Sequence, residues 1–286
     1  MTVRARGLDF AVWTSPPVGR EPPLLLVNGG LIYDHSLLWP SLAPLAARRQ
    51  VILYDQRGRG LTPAPADPST ATILDDAEDV GALRRALGIR QWNVLGHSYG
   101  GLVAMLGVAR DLAGTRRLVT VNAVGPTSEW MPALQTNALA RASEADRVIL
   151  ERTYPQLGTP DPAIHSAQSR AGYPSWFADR EMGASFTPPV STSVTGATIA
   201  AHLRREGYDL RASLRALSLP TLVLHGEEDA LPVSVALDLS RLLPRARLVI
   251  LPHAGHMPFW EAPQRFFAVV SDFLDSPAPA TGPPPL

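Results

Sequence analysis

One stretch constrains this chain more than any other: Asn93-Val94-Leu95-Gly96-His97-Ser98-Tyr99-Gly100-Gly101, where an apolar run meets a serine with a glycine two residues away on each side. A serine that projects from a sharp strand-to-helix turn crowds its neighbours. The positions two before and two after it must be small for strand and helix to cross closely, and Gly96 and Gly100 meet that demand. The pattern G-x-S-x-G arises often by chance. It carries weight only if a strand precedes it, a helix follows, and an acid and then a histidine come later in the chain.

The flanking pattern supplies that context. Trp92 to Leu95 reads as a strand, and Tyr99 to Arg110 is apolar nearly all round, as a helix buried beneath a sheet should be. Upstream, Val3, Ala5, Leu8, Phe10 and Val12 alternate around Gly7, which predicts a hairpin of two edge strands. Leu24-Leu25-Leu26-Val27 and Val51-Ile52-Leu53-Tyr54 are short continuous apolar runs, the signature of strands buried on both faces. A helix is expected from about Ser36 to Ala47. A clearer one carries Ile73, Ala77, Val80, Leu83 and Leu87 on one face, with Asp75, Asp76, Glu78 and Asp79 early and Arg84 and Arg85 late, as suits the helix macrodipole. A further strand is expected over Leu118 to Val124.

From residue 125 to 216 the strand rhythm stops, and helical stretches such as Met131 to Tyr154 and Thr198 to Arg205 alternate with Pro/Gly-rich connections. This reads as an inserted helical lid. The rhythm resumes with the stretch Leu219-Pro220-Thr221-Leu222-Val223-Leu224-His225-Gly226, a helix after Pro232, a strand over Arg247 to Leu251 and an amphipathic helix carrying Phe266, Phe267, Val270, Phe273 and Leu274. The expected division is a core of residues 1–124 and 217–275, a lid of residues 125–216, and a disordered Pro-rich tail of residues 276–286.

A serine hydroxyl needs a base to take its proton and a carboxylate to hold that base. Two loops after the lid offer them: His225-Gly226-Glu227-Glu228-Asp229-Ala230 and His253-Ala254-Gly255-His256-Met257-Pro258. In a parallel sheet both loops gather with Ser98 at the carboxyl ends of the strands. Glu227, Glu228 and Asp229 compete for the acid, and His253 and His256 for the base. His97, beside the serine, reads as structural or as pocket wall.

At this point the sequence resembles the α/β-hydrolase superfamily across nearly its whole length outside the lid and tail. Gly96-His97-Ser98-Tyr99-Gly100-Gly101 resembles its nucleophile elbow, and Gly226-Glu227-Glu228-Asp229 its acid turn. Ala254 to Glu261 resembles its histidine loop, and Asp55-Gln56-Arg57-Gly58-Arg59-Gly60 the loop after its fourth strand. The resemblance implies an α/β-hydrolase fold, with a mostly parallel sheet flanked by helices. It implies Ser98 as nucleophile, Asp229 as acid and His256 as base. It also implies an oxyanion hole of two backbone amides, one from Tyr99 and one from the loop Asn28-Gly29-Gly30-Leu31. Gly30 is the aligned donor there and Leu31 the alternative. Asn28 departs from the family, where histidine is common at that place.

Composition narrows the partners. The 26 basic and 26 acidic residues cancel and form no dense basic run, so nucleic acid and anionic membrane surfaces are not expected partners. A small-molecule substrate is expected, with oligomeric state left open. No cysteine is present, which removes thiolate chemistry and Cys-based metal sites. The seven histidines include no close pair at helical metal-ligand spacing with a carboxylate partner, so neither metal nor cofactor is expected. The N-terminus has no apolar leader and no long apolar run exists, which makes cytoplasmic location the default. Part of the chain, Leu45 to Gly58 with the Gly-Gly loop, resembles the proline iminopeptidase branch. Those enzymes use lid acids to hold a free amine, and in some an acid follows the catalytic Asp, where Ala230 stands here. The expected reaction is hydrolysis of an ester or lactone through an acyl-enzyme. Alternatives are acyl transfer or cyclisation by the same triad, aminopeptidase activity, and a non-catalytic small-molecule receptor.

Overall fold

The computed structural model describes residues 1–156, 161–189 and 191–276. Eight strands form one sheet: β1 (Thr2–Ala5), β2 (Leu8–Thr14), β3 (Leu24–Val27), β4 (Val51–Tyr54), β5 (Trp92–His97), β6 (Thr115–Val121), β7 (Thr221–Gly226) and β8 (Ala246–Leu251). Their spatial order is β1-β2-β4-β3-β5-β6-β7-β8. Pairing is antiparallel from β1 to β2 and from β2 to β4, and parallel across the rest. Only β1 of the opening hairpin is therefore an edge strand; β2 is joined to β4 through Val12, Trp13 and Thr14.

The apolar runs explain the layering. Successive side chains of a strand point to opposite faces, so Leu25, Val27 and Val94 enter one core while Leu24, Leu26 and Leu95 enter the other. The first core is closed by α1 (Ile73–Ala86) and α2 (Tyr99–Arg110), the second chiefly by α11 (Pro263–Asp275) through Phe266, Val270 and Leu274. Thr72 and Asp75 form a capping box at the start of α1. Between β6 and β7 the chain makes α3 (Trp130–Arg141), α4 (Glu144–Thr153), α5 (Pro162–Trp176), α6 (Arg180–Ser185), α7 (Val194–Glu206) and α8 (Arg211–Arg215). Two helices complete the order: α9 (Val233–Leu242) after β7 and α10 (Pro258–Glu261) after β8.

Several local expectations are corrected. The helix expected over Ser36 to Ala47 is two 3₁₀ turns, His35–Leu37 and Ala43–Ala47, because Pro40 and Pro44 lack the N–H a continuous helix needs and bias the residues before them away from helix. The strand expected to reach Val124 ends at Val121, where Asn122 turns to φ +46°. The helix expected over Met131 to Tyr154 is broken at Ser143, which caps α4 by accepting from the Asp146 N–H. The helix expected from Thr198 starts earlier, at Val194, capped by Ser193. The expected Pro-rich tail falls, after Ser276, outside the described residues. No helix among the described residues is long and apolar enough to cross a membrane.

Gly96 and Gly100 mark a close approach of backbone to backbone. A Cβ on Gly96 would fall well inside van der Waals distance of the Gly100 carbonyl, and one on Gly100 would strike the carbonyls of Val27 and Asn28. Those are backbone atoms and cannot swing aside. Gly100→Ala is expected to lower Tm by about 10 °C or to prevent folding, since overpacking costs about 3 kcal/mol at the upper end of its usual range. Gly172→Ala in α5, where a Cβ meets only ordinary contact with Leu150 at 3.7 Å, should leave Tm unchanged or raise it slightly. Thermal denaturation followed by circular dichroism measures both.

Candidate active site

β5 delivers Ser98 at φ 55°, ψ −124°, a left-handed conformation that a non-glycine residue holds only when its surroundings fix it. Three backbone hydrogen bonds do so: Ser98 N–H donates to Val121 O at 2.9 Å, and Ser98 O accepts from Gly101 N–H at 2.9 Å and Val124 N–H at 3.3 Å. The residue after it, Tyr99, opens α2, so its N–H has no partner within the helix. From the other side the loop after β3 lies against the serine, since a Cβ on Gly29 would come 2.7 Å from Ser98 Cβ. Gly30 and Leu31 follow with φ +76° and +50°. Asn28, buried, donates from Nδ2 to Tyr33 O at 2.8 Å and closes this loop on itself. The departure from histidine is thus occupied by a residue that shapes the loop through its own hydrogen bond.

Asp229 and His256 meet on neighbouring loops. Asp229 follows β7 and His256 follows β8; both are buried, and His256 Nδ1 lies 2.7 Å from Asp229 Oδ2. A carboxylate against Nδ1 fixes the tautomer with the proton there and leaves the Nε2 lone pair basic. Asp229 Oδ1 accepts from Leu231 N–H at 2.9 Å, and Oδ2 accepts from Asn122 Nδ2 at 2.6 Å. Burial pushes the Asp229 carboxyl up, but the His256 ring, the hydrogen bond to it, His225 and Asn122 outweigh burial and hold it below the ordinary carboxylate value. The competing residues point elsewhere. Glu227 and Glu228 are exposed, and His253, with a side chain 88% exposed, faces Glu228 at 3.6 Å.

His97 is built into the scaffold. Its Nε2 lies 2.9 Å from the His256 carbonyl oxygen, which requires the proton on Nε2, and its ring sits 4.9 Å from the His256 ring. Burial first, then the His256 ring, lower its pKa from 6.5 to about 3.

Four residues of this site have no role in what the sequence leads one to expect. Asn122, at the bend after β6, donates to Asp229 and also to Gly255 O at 3.1 Å. Glu261, last residue of the quoted histidine loop, accepts from Gly255 N–H at 2.9 Å, Met257 N–H at 3.2 Å and, across the molecule, Ala178 N–H at 2.7 Å. Trp176, at the end of α5, accepts the His256 N–H at 2.8 Å and sets its ring edge-on to the imidazole at 4.6 Å. Arg141 of α3 donates to Phe177 O at 2.8 Å and to Glu228 O in the acid turn. Polar residues at bends and caps have no periodicity, so only Glu261, inside a motif, could have been found.

Elsewhere, ligand atoms of Asp34, His35 and Asp55 lie within 4.8 Å of one another. Asp55 there accepts from His35 N–H at 3.0 Å, from the His35 ring at 2.8 Å and from Leu61 N–H at 2.8 Å, so it works as loop scaffold. A cleft of about 650 Å³ between α3, α8 and α9 contains none of the candidate site residues.

A serine at the tip of an interior strand, with a carboxylate and an imidazole hydrogen-bonded to each other on the loops after β7 and β8 at the same end of the sheet, defines a hydrolase architecture of the α/β class. The family model for the alpha/beta hydrolase fold matches residues 22–263, and the chain belongs to that family. It is 30% identical over 242 residues to a 2-hydroxymuconate semialdehyde hydrolase of Pseudomonas putida, covering 79% of this chain and 77% of that one. A solved proline iminopeptidase from Mycobacterium smegmatis superimposes with a TM-score of 0.71 at 24% identity, over 96% of this chain and 97% of that one. The enol-lactonase of Burkholderia xenovorans LB400 superimposes with a TM-score of 0.65 at 23% identity, over 96% and 100%. The chain is a hydrolase.

The His97 shift has a definite sign. Between pH 6.5 and about 3 the unfolded chain binds a proton that the folded one refuses, so this residue's contribution to stability is complete above 6.5 and is lost as pH falls. At pH 4.5 the loss relative to pH 7 should be about 2–3 kcal/mol. His97→Gln should flatten that part of the slope, as read from urea midpoints at the two pH values.

Proposed function

We propose that this protein cleaves a neutral ester or lactone of a small molecule, with Ser98 as nucleophile, His256 as general base and then acid, and Asp229 holding the imidazole. The observation that carries this reading is the buried hydrogen bond between His256 Nδ1 and Asp229 Oδ2, on loops that open at the same end of the sheet as the strained serine turn. The Ser98 hydroxyl proton passes to His256 Nε2 as Oγ attacks the carbonyl carbon. The oxygen that gains charge is received by the N–H groups of Tyr99 and Gly30. Collapse expels the alcohol, which takes the proton from His256, and leaves an acyl-enzyme. Water, deprotonated by the same nitrogen, then releases the acid. Asp229 stays ionised throughout, in keeping with its lowered pKa.

In this reading residues 125–216 act as a lid. The Trp176 ring against His256 and the bond from Arg141 to Glu228 O in the acid turn support it. The lid also bears on the substrate. Its nine carboxylates include none that is buried: eight are exposed, and Asp146, half-buried, is engaged by Ser143 in the α4 cap. Ala230 after Asp229, with no buried carboxylate among the described residues of the lid, weighs against aminopeptidase activity. Two of the three relatives above are named for a semialdehyde and an enol-lactone, and neither name requires an amine.

A panel of p-nitrophenyl esters, lactones and proline anilides tests the reading. Ser98→Ala should lower kcat by about 10⁴-fold or more, and the anilides should stay unhydrolysed. In water labelled with heavy oxygen the released acid should carry one labelled atom. Product without label, formed only with an added amine or alcohol, would replace hydrolysis by acyl transfer.

A further inference from the structure

A buried ion pair reaches both sides of the candidate oxyanion hole. Arg59 and Asp76 are fully buried and joined by two hydrogen bonds, Nη1 to Oδ1 at 2.8 Å and Nη2 to Oδ2 at 2.9 Å. Two further contacts of this pair reach segments distant in sequence, the loop after β3 and the start of α2. Arg59 Nε donates to Leu31 O at 2.7 Å, next to Gly30, and its Nη1 also donates to Arg57 O at 2.8 Å. Asp76 Oδ2 accepts from the Tyr99 hydroxyl at 2.8 Å. One planar group thus grips the residue after Gly30, and its partner grips the residue after Ser98.

Stability alone is a poor account of this arrangement, because a buried ion pair often stabilises no better than well-packed apolar side chains. Leu31 is held in a left-handed conformation that leucine disfavours, so something must fix its peptide. The Tyr99 ring, anchored at its far end, likewise fixes the first turn of α2. We propose that Arg59 and Asp76 are positioning residues that set the separation and aim of the two oxyanion N–H groups, with the Tyr99 hydroxyl as the link on the α2 side. The proposal rests on the reading of Gly30 and Tyr99 as the donors. An oxyanion hole acts only if its donors already stand where charge develops, so loosening either side should weaken the transition state and leave substrate binding alone.

Tyr99→Phe removes one hydroxyl, and Arg59→Lys keeps the charge but loses the fork that reaches Leu31 O and Asp76 together. With p-nitrophenyl butyrate, Tyr99→Phe should lower kcat about 10-fold and Arg59→Lys about 10²-fold, both with KM within about twofold of wild type. Inhibition by phenylboronic acid, whose serine adduct is tetrahedral, should weaken by the same factors, as should the rate of Ser98 labelling by a fluorophosphonate. A folding defect would instead lower Tm and the active fraction without changing the boronate constant of the molecules that remain active. Unchanged kcat and boronate affinity in both variants, with Ser98→Ala inactive, would overturn the proposal and leave the serine mechanism standing. Turnover retained by Ser98→Ala would overturn the mechanism and the proposal together. If Arg59→Lys fails to fold, Tyr99→Phe decides alone by the same criteria.

Discussion

Everything at this site depends on how closely β5 and α2 cross. With no side chain at Gly96 the strand and helix approach closer than a Cβ there would allow, and with none at Gly100 the helix sits against the end of β3 in the same way; Ser98 is forced into a backbone geometry that lifts its side chain clear of both elements. The sheet order then does the rest. β3 lies on one side of β5, and β6, β7 and β8 follow on the other. The loops bearing Asn28 to Leu31, Asn122, Asp229 and His256 therefore open at the same end as the serine. Buried apolar strands fix that register, because a slip of one residue would exchange the contents of the two cores.

Onto this rigid frame the His256 loop is tied from two directions. The sheet holds it through Asn122, which reaches both Asp229 and the Gly255 carbonyl. The insert holds it through the Trp176 carbonyl and through the Ala178 N–H, which joins those of Gly255 and Met257 on the Glu261 carboxylate. Burial raises the Glu261 carboxyl, against the pull of those three amides. Satisfying buried backbone groups in this way is what a loop without secondary structure requires.

Much of this was legible in the sequence, and the parts that were not share a reason. Continuous apolar runs announced the buried strands, and glycine spacing announced the turn at Ser98, because close packing leaves a compositional trace. The order of the acid and histidine loops announced a meeting of Asp229 with His256, but the exposure that separates Asp229 from Glu227 and Glu228 is a property of the folded turn. Asp76 and Asp79 read as charges that suit the start of α1. In the fold they are buried against Arg59 and Arg57, partners from a loop whose sequence has no period. Asn122 was hidden inside what read as a longer strand, since Ala123 and Val124 continue the apolar pattern beyond the bend.

The hydrogen bond from the His256 N–H to the Trp176 carbonyl joins two histories that are usually separable. A core that keeps its chemistry while exchanging inserts can acquire new substrates freely only if the insert is a passive cover. Here one backbone carbonyl of the insert completes the seat of the imidazole. Any descendant that rebuilt α5 would have to return an acceptor to that point, so change in this segment is tethered to the geometry of the imidazole loop it helps to seat.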